Sequence, residues 1–261
     1  MVPIAGGDFV QGESPRYSEE GPPRTVRVRS FKISSHEVTN SEFAAFVRAT
    51  GYRTKAELDP PKLPGAPPEM LLPGSAVFAA PTPENPAWWR WVVGANWQHP
   101  EGPGSSIVGK DRDPVVQVAP EDAQAYADWK GLSLPSESEW EFAARGGLPA
   151  APEPVDEGGR PVANHYQGAF PAKDLGVDGY TGRAPVGCFK PNGFGLYDMI
   201  GNVWELTTGK AGPGGGFAVI KGGSYLCASN YCARYRPAAR QFQEYGLGAD
   251  HVGFRLVKRD P

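Results

Sequence analysis

The sequence predicts an α+β fold with little regular secondary structure. Three observations carry that expectation. Glycine (34) and proline (28) supply 62 of the 261 residues, about double average usage, so turn-formers interrupt nearly every window and long helical bundles are excluded. The 29 Phe, Trp and Tyr residues are more than a disordered chain carries, because such chains lack the side chains that build a core. Helical and strand signatures are both present, but short and dispersed.

Taken in order, residues 24–38 (RTVRVRSFKISSHEV) alternate apolar and polar side chains, the period of a strand. Thr39 then opens a helix. Thr39 and Glu42 form a capping box, Phe43, Phe46 and Val47 make the apolar stripe, and Gly51 ends it. In 52–118, Pro60, Pro61, Pro64, Pro67 and Pro68 crowd one stretch and no periodic pattern survives. A mobile surface insertion and an ordered functional loop both fit. Trp88, Trp89, Trp91 and Trp97 favour order, since exposed tryptophans on a loose loop are unusual. A second helix runs from Pro120 to Lys130, with Pro120 at the first helical position, Glu121 and Asp122 in the first turn, and Gly131 as stop. A third begins at the capping box Ser136/Glu139, carries Trp140 and Phe142 on its apolar side, and stops at Gly146-Gly147. Val219–Tyr225 and Gly253–Val257 are expected strands.

The charge balance, 26 Lys+Arg against 29 Asp+Glu for a net −3, argues against a general nucleic-acid binder, which shows a clustered basic excess. No stretch approaches 18 apolar residues, so no transmembrane helix is expected. The start, MVPIAGGDFVQGESPR, has neither the basic nor the apolar region of a secretory signal.

Most catalytic templates are absent: no GxSxG elbow, phosphate loop, HExxH or CxxC. His36, His99, His165 and His251 are scattered, with no local pair suited to a two-histidine iron site. The three cysteines make no disulfide framework. As a set, three buried small hydrophobes would account for them. Two of them, Cys227 and Cys232, stand five residues apart across a turn and can face one point. A disulfide, two unrelated thiols and a two-coordinate thiolate site all fit that spacing. Two thiolates without further ligands would select Cu(I), whereas structural zinc needs four ligands. Ser224 and Tyr231 flank the pair. Arg234, Arg236 and Arg240 follow, either as a solvated basic strand or as a polar wall that favours thiolate over thiol.

The segment VIKGGSYLCASNYCARYRPAAR (219–240), followed by GFR (253–255), resembles the active-site segment of formylglycine-generating enzymes, the sulfatase-modifying factor family. Family-like blocks also occur in family order at MVPIAGGDFVQG, HEVTNSEFAAFVRATGY (36–52), GANWQHPEGPGSSI (94–107), WKGLSLPSESEWEFAARGGL (129–148) and PNGFGLYDMIGNVWE (191–205). The resemblance implies a single compact domain over residues 1–261, related to C-type-lectin-like folds. It implies copper-dependent oxidation by O2 of a cysteine, within a Cys-x-Pro-x-Arg sequence of an unfolded sulfatase polypeptide, to Cα-formylglycine. Cys227 and Cys232 would be copper thiolates, with Ser224 positioning oxygen or water. Tyr231 and Trp129 would line the oxygen-side pocket. Ser105, Lys110, Arg234 and His251 would face the peptide. Two structural calcium ions are implied. Asn164, Asp178 and the carbonyls of His165 and Tyr180 would hold one; Asp198, Glu205 and the carbonyls of Gly201 and Val203 would hold the other. Oxygen-only ligands suit that hard cation.

The chain departs from the family pattern at several places. Ala228 replaces a frequent histidine, His251 stands where asparagine usually precedes GFR, and Lys110 falls where arginine is common. Leu206 replaces the second tryptophan of a WEW motif, and 207–220 is short. Pro237 and Leu256 stand where secreted relatives carry disulfide cysteines, which fits a cytoplasmic member. Cys188 is expected as a buried free thiol. Three alternatives remain: a paralogue acting on a different thiol substrate, an iron-dependent sulfoxide synthase of the ergothioneine type, and a non-catalytic, lectin-like binder.

Overall fold

The computed structural model describes residues 1–62, 64–148 and 152–259; the expected domain end at 261 lies outside them. In chain order the elements are β1 (Val2–Ile4), β2 (Gly7–Gln11), β3 (Arg24–Val28), β4 (Phe31–Ile33), α1 (Asn40–Thr50), β5 (Gly74–Phe78), β6 (Trp89–Val93), α2 (Pro120–Lys130), α3 (Glu137–Arg145), β7 (Gly168–Ala169), β8 (Lys173–Asp174), β9 (Trp204–Ala211), β10 (Phe217–Lys221), β11 (Arg240–Glu244), β12 (Val252–Gly253) and β13 (Val257–Arg259). The α+β expectation holds.

The helices form for the reasons their sequences give. Thr39 and Glu42 make the reciprocal cap of α1, and Gly51 closes it in the left-handed conformation. Ser136 and Glu139 repeat that box on α3. On α2 the cap is Asp122, whose carboxylate accepts Ala119 N at 2.8 Å and Tyr52 OH at 2.9 Å. Burial lifts that carboxyl to about 6 against these stabilising bonds.

Two apolar cores result. One joins α1 and α2 to β9 and β10, with Phe43 within 5.3–5.7 Å of Phe46, Trp97 and Tyr126. The other joins α3 to β1 and β4 through Trp140, Ile33 and Leu196. A four-stranded sheet, ordered β11-β10-β9-β12, carries the segment of interest, and a three-stranded sheet, β1-β4-β13, ties the chain's two ends.

Three expectations change in detail. The 24–38 pattern splits into β3 and β4, which belong to different sheets. The strand expected over 219–225 ends at Lys221, because Gly222 and Gly223 take φ of 97° and 75° and turn the chain. The strand expected over 253–257 is two: β12 runs parallel to β9, and β13 pairs antiparallel with β4. Between them Arg255 is fully buried and binds both oxygens of Glu205 at 2.6 and 2.7 Å. The ordered reading of 52–118 prevails: β5 and β6 form a hairpin with Ser75 opposite Val92 and Val77 opposite Arg90.

Candidate functional site

After the Gly222-Gly223 turn the chain folds back on itself. Cys227 N donates to Ser224 O at 2.9 Å, and Cys232 N to Ala228 O at 2.9 Å. These two turns bring the sulfurs at 227 and 232 to 3.2 Å. That is hydrogen-bond range for thiols, well beyond the roughly 2.05 Å of a disulfide. The two groups are unequal. Burial pushes Cys227 well above the ordinary thiol range. The hydrogen bond from Cys227 and the nearby Arg234 bring Cys232 down to about 6, against the opposing effect of burial. Ser224 is buried, its hydroxyl accepting Leu226 N at 3.2 Å.

Arg234 lies 3.9 Å from the Cys232 sulfur. It is held by Glu19 at 2.9 and 2.6 Å and lies over the Tyr17 ring at 3.8 Å. Behind it Arg236 binds both oxygens of Glu20 at 2.6 Å, and Arg240 donates to Glu19 O and Glu137. The three arginines therefore clamp the 13–22 loop onto the thiol segment.

Tyr231, next to Cys232 in the chain, belongs to an aromatic cluster. Tyr231, 54% exposed, stacks on Phe170 at 4.6 Å and touches Trp88 at 5.2 Å. From Phe170 the rings continue through Phe78 and Trp89 to His251, at 5.5, 5.9 and 4.7 Å. Beyond His251, Arg183 bridges Asp250 O and Glu101. Ser105 donates to Gly102 O and accepts from Glu101 N, so it shapes the same turn. Lys110 is exposed beside it, and its charge, after that of Arg183, helps hold the Glu101 carboxyl low. The ring series thus links Tyr231 to His251, and Arg183 with Glu101 carries it on to Ser105, whereas Arg234 lies on the Tyr17 side of Cys232.

Trp129 does not join it. That residue, 39% exposed on α2, packs on Phe46 and Tyr126 under Lys130. It lies off the buried side of α2, which Ala123, Tyr126 and Ala127 carry, and among the described residues its ring partners are Phe46 and Tyr126, not the thiol segment. Cys188 is exposed, not buried, so the expectation of three buried cysteines holds only for Cys227. The rings missed from sequence are Phe170 and, as a partner of Tyr231, Trp88; both arrive through contacts more than 60 residues long.

The expected calcium ligands fall into two places. Asp178 accepts His165 N and Tyr180 N, and Gln167 Nε2 donates to both Asp178 and His165 O. The Gln167 amide therefore occupies the point on which these oxygens converge. Asn164 Nδ2 donates to Gly182 O and Asn202 Oδ1. At the second place Glu205 is bound by Arg255 and by Trp140 Nε1 at 2.8 Å. Asp198 accepts Gly187 N at 2.7 Å, while Gly201 N donates to Gly222 O. Val203 is buried, with Trp204 and Glu205 pairing to β12 just after it. Burial raises Asp198, and burial then Asp198 raise Glu37, so one guanidinium faces three acidic groups. Among the described residues, no three His, Cys, Asp or Glu side chains gather into a metal cluster.

Comparison with known proteins fits this geometry. The sulfatase-modifying factor enzyme 1-like domain matches residues 1–260. The chain is 46% identical to a formylglycine-generating enzyme of Mycobacterium tuberculosis, over 98% of this chain and 97% of that protein. It is 48% identical to one of Thermomonospora curvata, over 98% and 92%. Among solved structures, PvdO from Pseudomonas aeruginosa is similar at a TM-score of 0.71 and 25% identity, over 99% of this chain and 93% of that one. The chain belongs to the sulfatase-modifying factor enzyme 1-like domain family.

Proposed function

We propose that this protein is an oxidoreductase that converts a peptidyl cysteine of a sulfatase polypeptide to Cα-formylglycine, using Cu(I) and O2. The observation that carries the reading is the 3.2 Å approach of two reduced sulfurs, Cys227 buried and Cys232 partly exposed. The donor set fits a soft monovalent ion: two sulfurs 3.2 Å apart, with Arg234 near enough to Cys232 to favour its thiolate form. Bound by Cys227 and Cys232, copper would supply the redox couple and the affinity for O2 and a third sulfur. The chain's own groups do the rest. Arg234 offsets thiolate charge, while Phe170 and Trp88 hold Tyr231 in place next to Cys232. Ser224 keeps its hydroxyl proton free to donate, because it only accepts from Leu226.

Mass spectrometry of a Cys-x-Pro-x-Arg peptide, after incubation in air with Cu(I)-loaded protein, tests the reaction. A mass loss matching thiol to aldehyde is expected, abolished by Cys227→Ser or Cys232→Ser. Turnover that survives either substitution overturns the reading. Peptide bound without turnover would indicate the non-catalytic paralogue, and turnover of other thiols alone would indicate a different substrate. The iron-dependent alternative lacks a histidine cluster among the described residues.

Calcium belongs to the same proposal. The first site fits once the Gln167 amide swings away and frees the Asp178 and His165 oxygens it now binds; the second fits by charge alone, since Glu37 Oε2 is buried without a hydrogen bond while Arg255 holds both Glu205 oxygens and would have to release one to the ion. Calcium should raise Tm in proportion to the logarithm of its concentration, and Asp178→Ala should remove part of that rise. A Tm indifferent to calcium and chelator would dismiss both sites. A cytoplasmic location is supported by the three free cysteines, one exposed. No helix among the described residues is long and apolar enough to cross a membrane.

A further inference from the structure

At the far end of the aromatic strip two buried polar atoms face each other without partners. Asp250 Oδ1 and His251 Nδ1 lie 3.7 Å apart, and neither has a hydrogen bond. The other carboxylate oxygen, Oδ2, is anchored by Phe78 N at 3.0 Å and Tyr225 OH at 3.4 Å. The imidazole is fixed from its face by Trp89 and through its own carbonyl, which accepts Trp204 N at 2.8 Å. A shift of roughly 0.7 Å brings the orphaned pair to hydrogen-bond length. Leaving both atoms unpaired would cost more than closing that gap.

We propose that Asp250 is a positioning residue that sets which ring nitrogen of His251 carries the proton, so that Nε2 meets the substrate peptide as donor or acceptor according to the charge on Asp250. The peptide half of this proposal rests on the function proposed above; the proton placement does not.

The charges around Asp250 are few. Arg183 donates to its backbone carbonyl and pairs with Glu101, and Tyr225 donates to Oδ2. Arg183 lowers Asp250 and Glu101 raises it, but burial dominates and lifts the carboxyl to about 7. Burial also takes His251 down to about 3, so the ring stays neutral near neutral pH. Below about 7 the carboxylic acid donates to Nδ1, and the ring proton must sit on Nε2. Above it the carboxylate accepts from Nδ1–H, and Nε2 presents a lone pair. One ionisation thus inverts the polarity of the atom left toward solvent, with no change in the charge of the histidine.

Nitrogen-15 NMR of the full chain with labelled histidine reads this directly, with His251→Gln identifying the signal. Between about pH 5.5 and 8.5 the Nδ1 and Nε2 shifts of His251 should exchange, with a midpoint near that of Asp250. In Asp250→Asn the amide donates permanently to Nδ1 while its oxygen keeps the bonds from Phe78 and Tyr225, so the ring should stay Nε2–H throughout. A wild-type ring that holds one tautomer, or becomes imidazolium in this range, overturns the proposal. For the peptide half, the Kd of a fluorescent cysteine peptide is compared between wild type and Asp250→Asn. Their ratio should change about fivefold between pH 6 and 8, the worth of one hydrogen bond, in a direction that tells whether a peptide carbonyl or N–H faces Nε2. A flat ratio overturns that half. Because Kd needs no turnover, a protein that binds but does not oxidise the peptide defeats the proposed function and leaves this test intact.

Discussion

Cys227 and Cys232 share one hydrogen bond but differ in what surrounds them. Cys227 is sealed, so its charged form is disfavoured by burial, while Cys232 is partly exposed and has Arg234 beside it. A lowered thiol keeps its thiolate above its midpoint and loses it below, so Cys232 should be ionised at neutral pH. In a Cys188→Ser background, iodoacetamide should label Cys232 at a rate that rises through about pH 6 and then levels, while Cys227 stays unlabelled. Arg234→Leu should move that midpoint up by about one pH unit. Equal labelling of both sulfurs would mean that the asymmetry is absent. Part of this was legible in the residues: the five-residue spacing allowed a thiol pair beside a disulfide or two unrelated thiols, and the arginines after it read as a polar wall or as a solvated basic strand. The resemblance implied Trp129 at the oxygen-side pocket, but a tryptophan in a family-like block gives no direction, and the ring contacts with Phe46 and Tyr126 are long-range or helix-local facts that only the fold supplies.

The element that delivers the thiols is the turn after β10. A Cβ on Gly223, which has φ of 75°, would stand 2.7 Å from Tyr235 Cα and 2.9 Å from its nitrogen. Backbone atoms cannot yield as a side-chain tip can. Gly109 has φ of 78° with open space around it, so it shares the conformational cost and not the clash. Gly109→Ala should therefore lower stability by about 1 kcal/mol, and Gly223→Ala by at least about 2 kcal/mol, measured by urea denaturation. Gly223→Ala should also weaken Cu(I) binding in competition with a chromogenic chelator; equal effects of the two variants would deny the turn its role. Helix ends were readable because caps and stops are local chemistry. Strand ends were less so. Residues 219–225 carry a strand's composition past the point where two glycines bend it, and 253–257 changes sheets at Arg255, whose partner Glu205 lies 50 residues away.

At the scale of the whole molecule, the chain's first 33 residues are held to its last 40 by charge as well as by sheet β1-β4-β13. The arginines of 234–240 read equally well as a solvated basic face, and nothing near them in sequence chooses between the readings. The acidic partners of Arg234 and Arg236, Glu19 and Glu20, are more than 210 residues distant, and that of Arg240, Glu137, is 103 away. Burial decides the matter: Arg236 is 3% exposed and Glu20 is 7% exposed. A buried pair need not add net stability over an apolar replacement, but removing one member leaves an uncompensated charge inside the protein. Glu20→Ala should thus cost about 3–5 kcal/mol, whereas Glu20→Leu with Arg236→Met should recover most of that loss. The double variant should then separate folding from function. With Arg234 still paired to Glu19, the thiol segment stays anchored at one of its tethers, and Cys232 labelling should keep its pH midpoint. If the single variant loses less than about 1 kcal/mol, the pair behaves as a solvated surface bridge, and the N-terminal loop is not what holds the thiol segment in place.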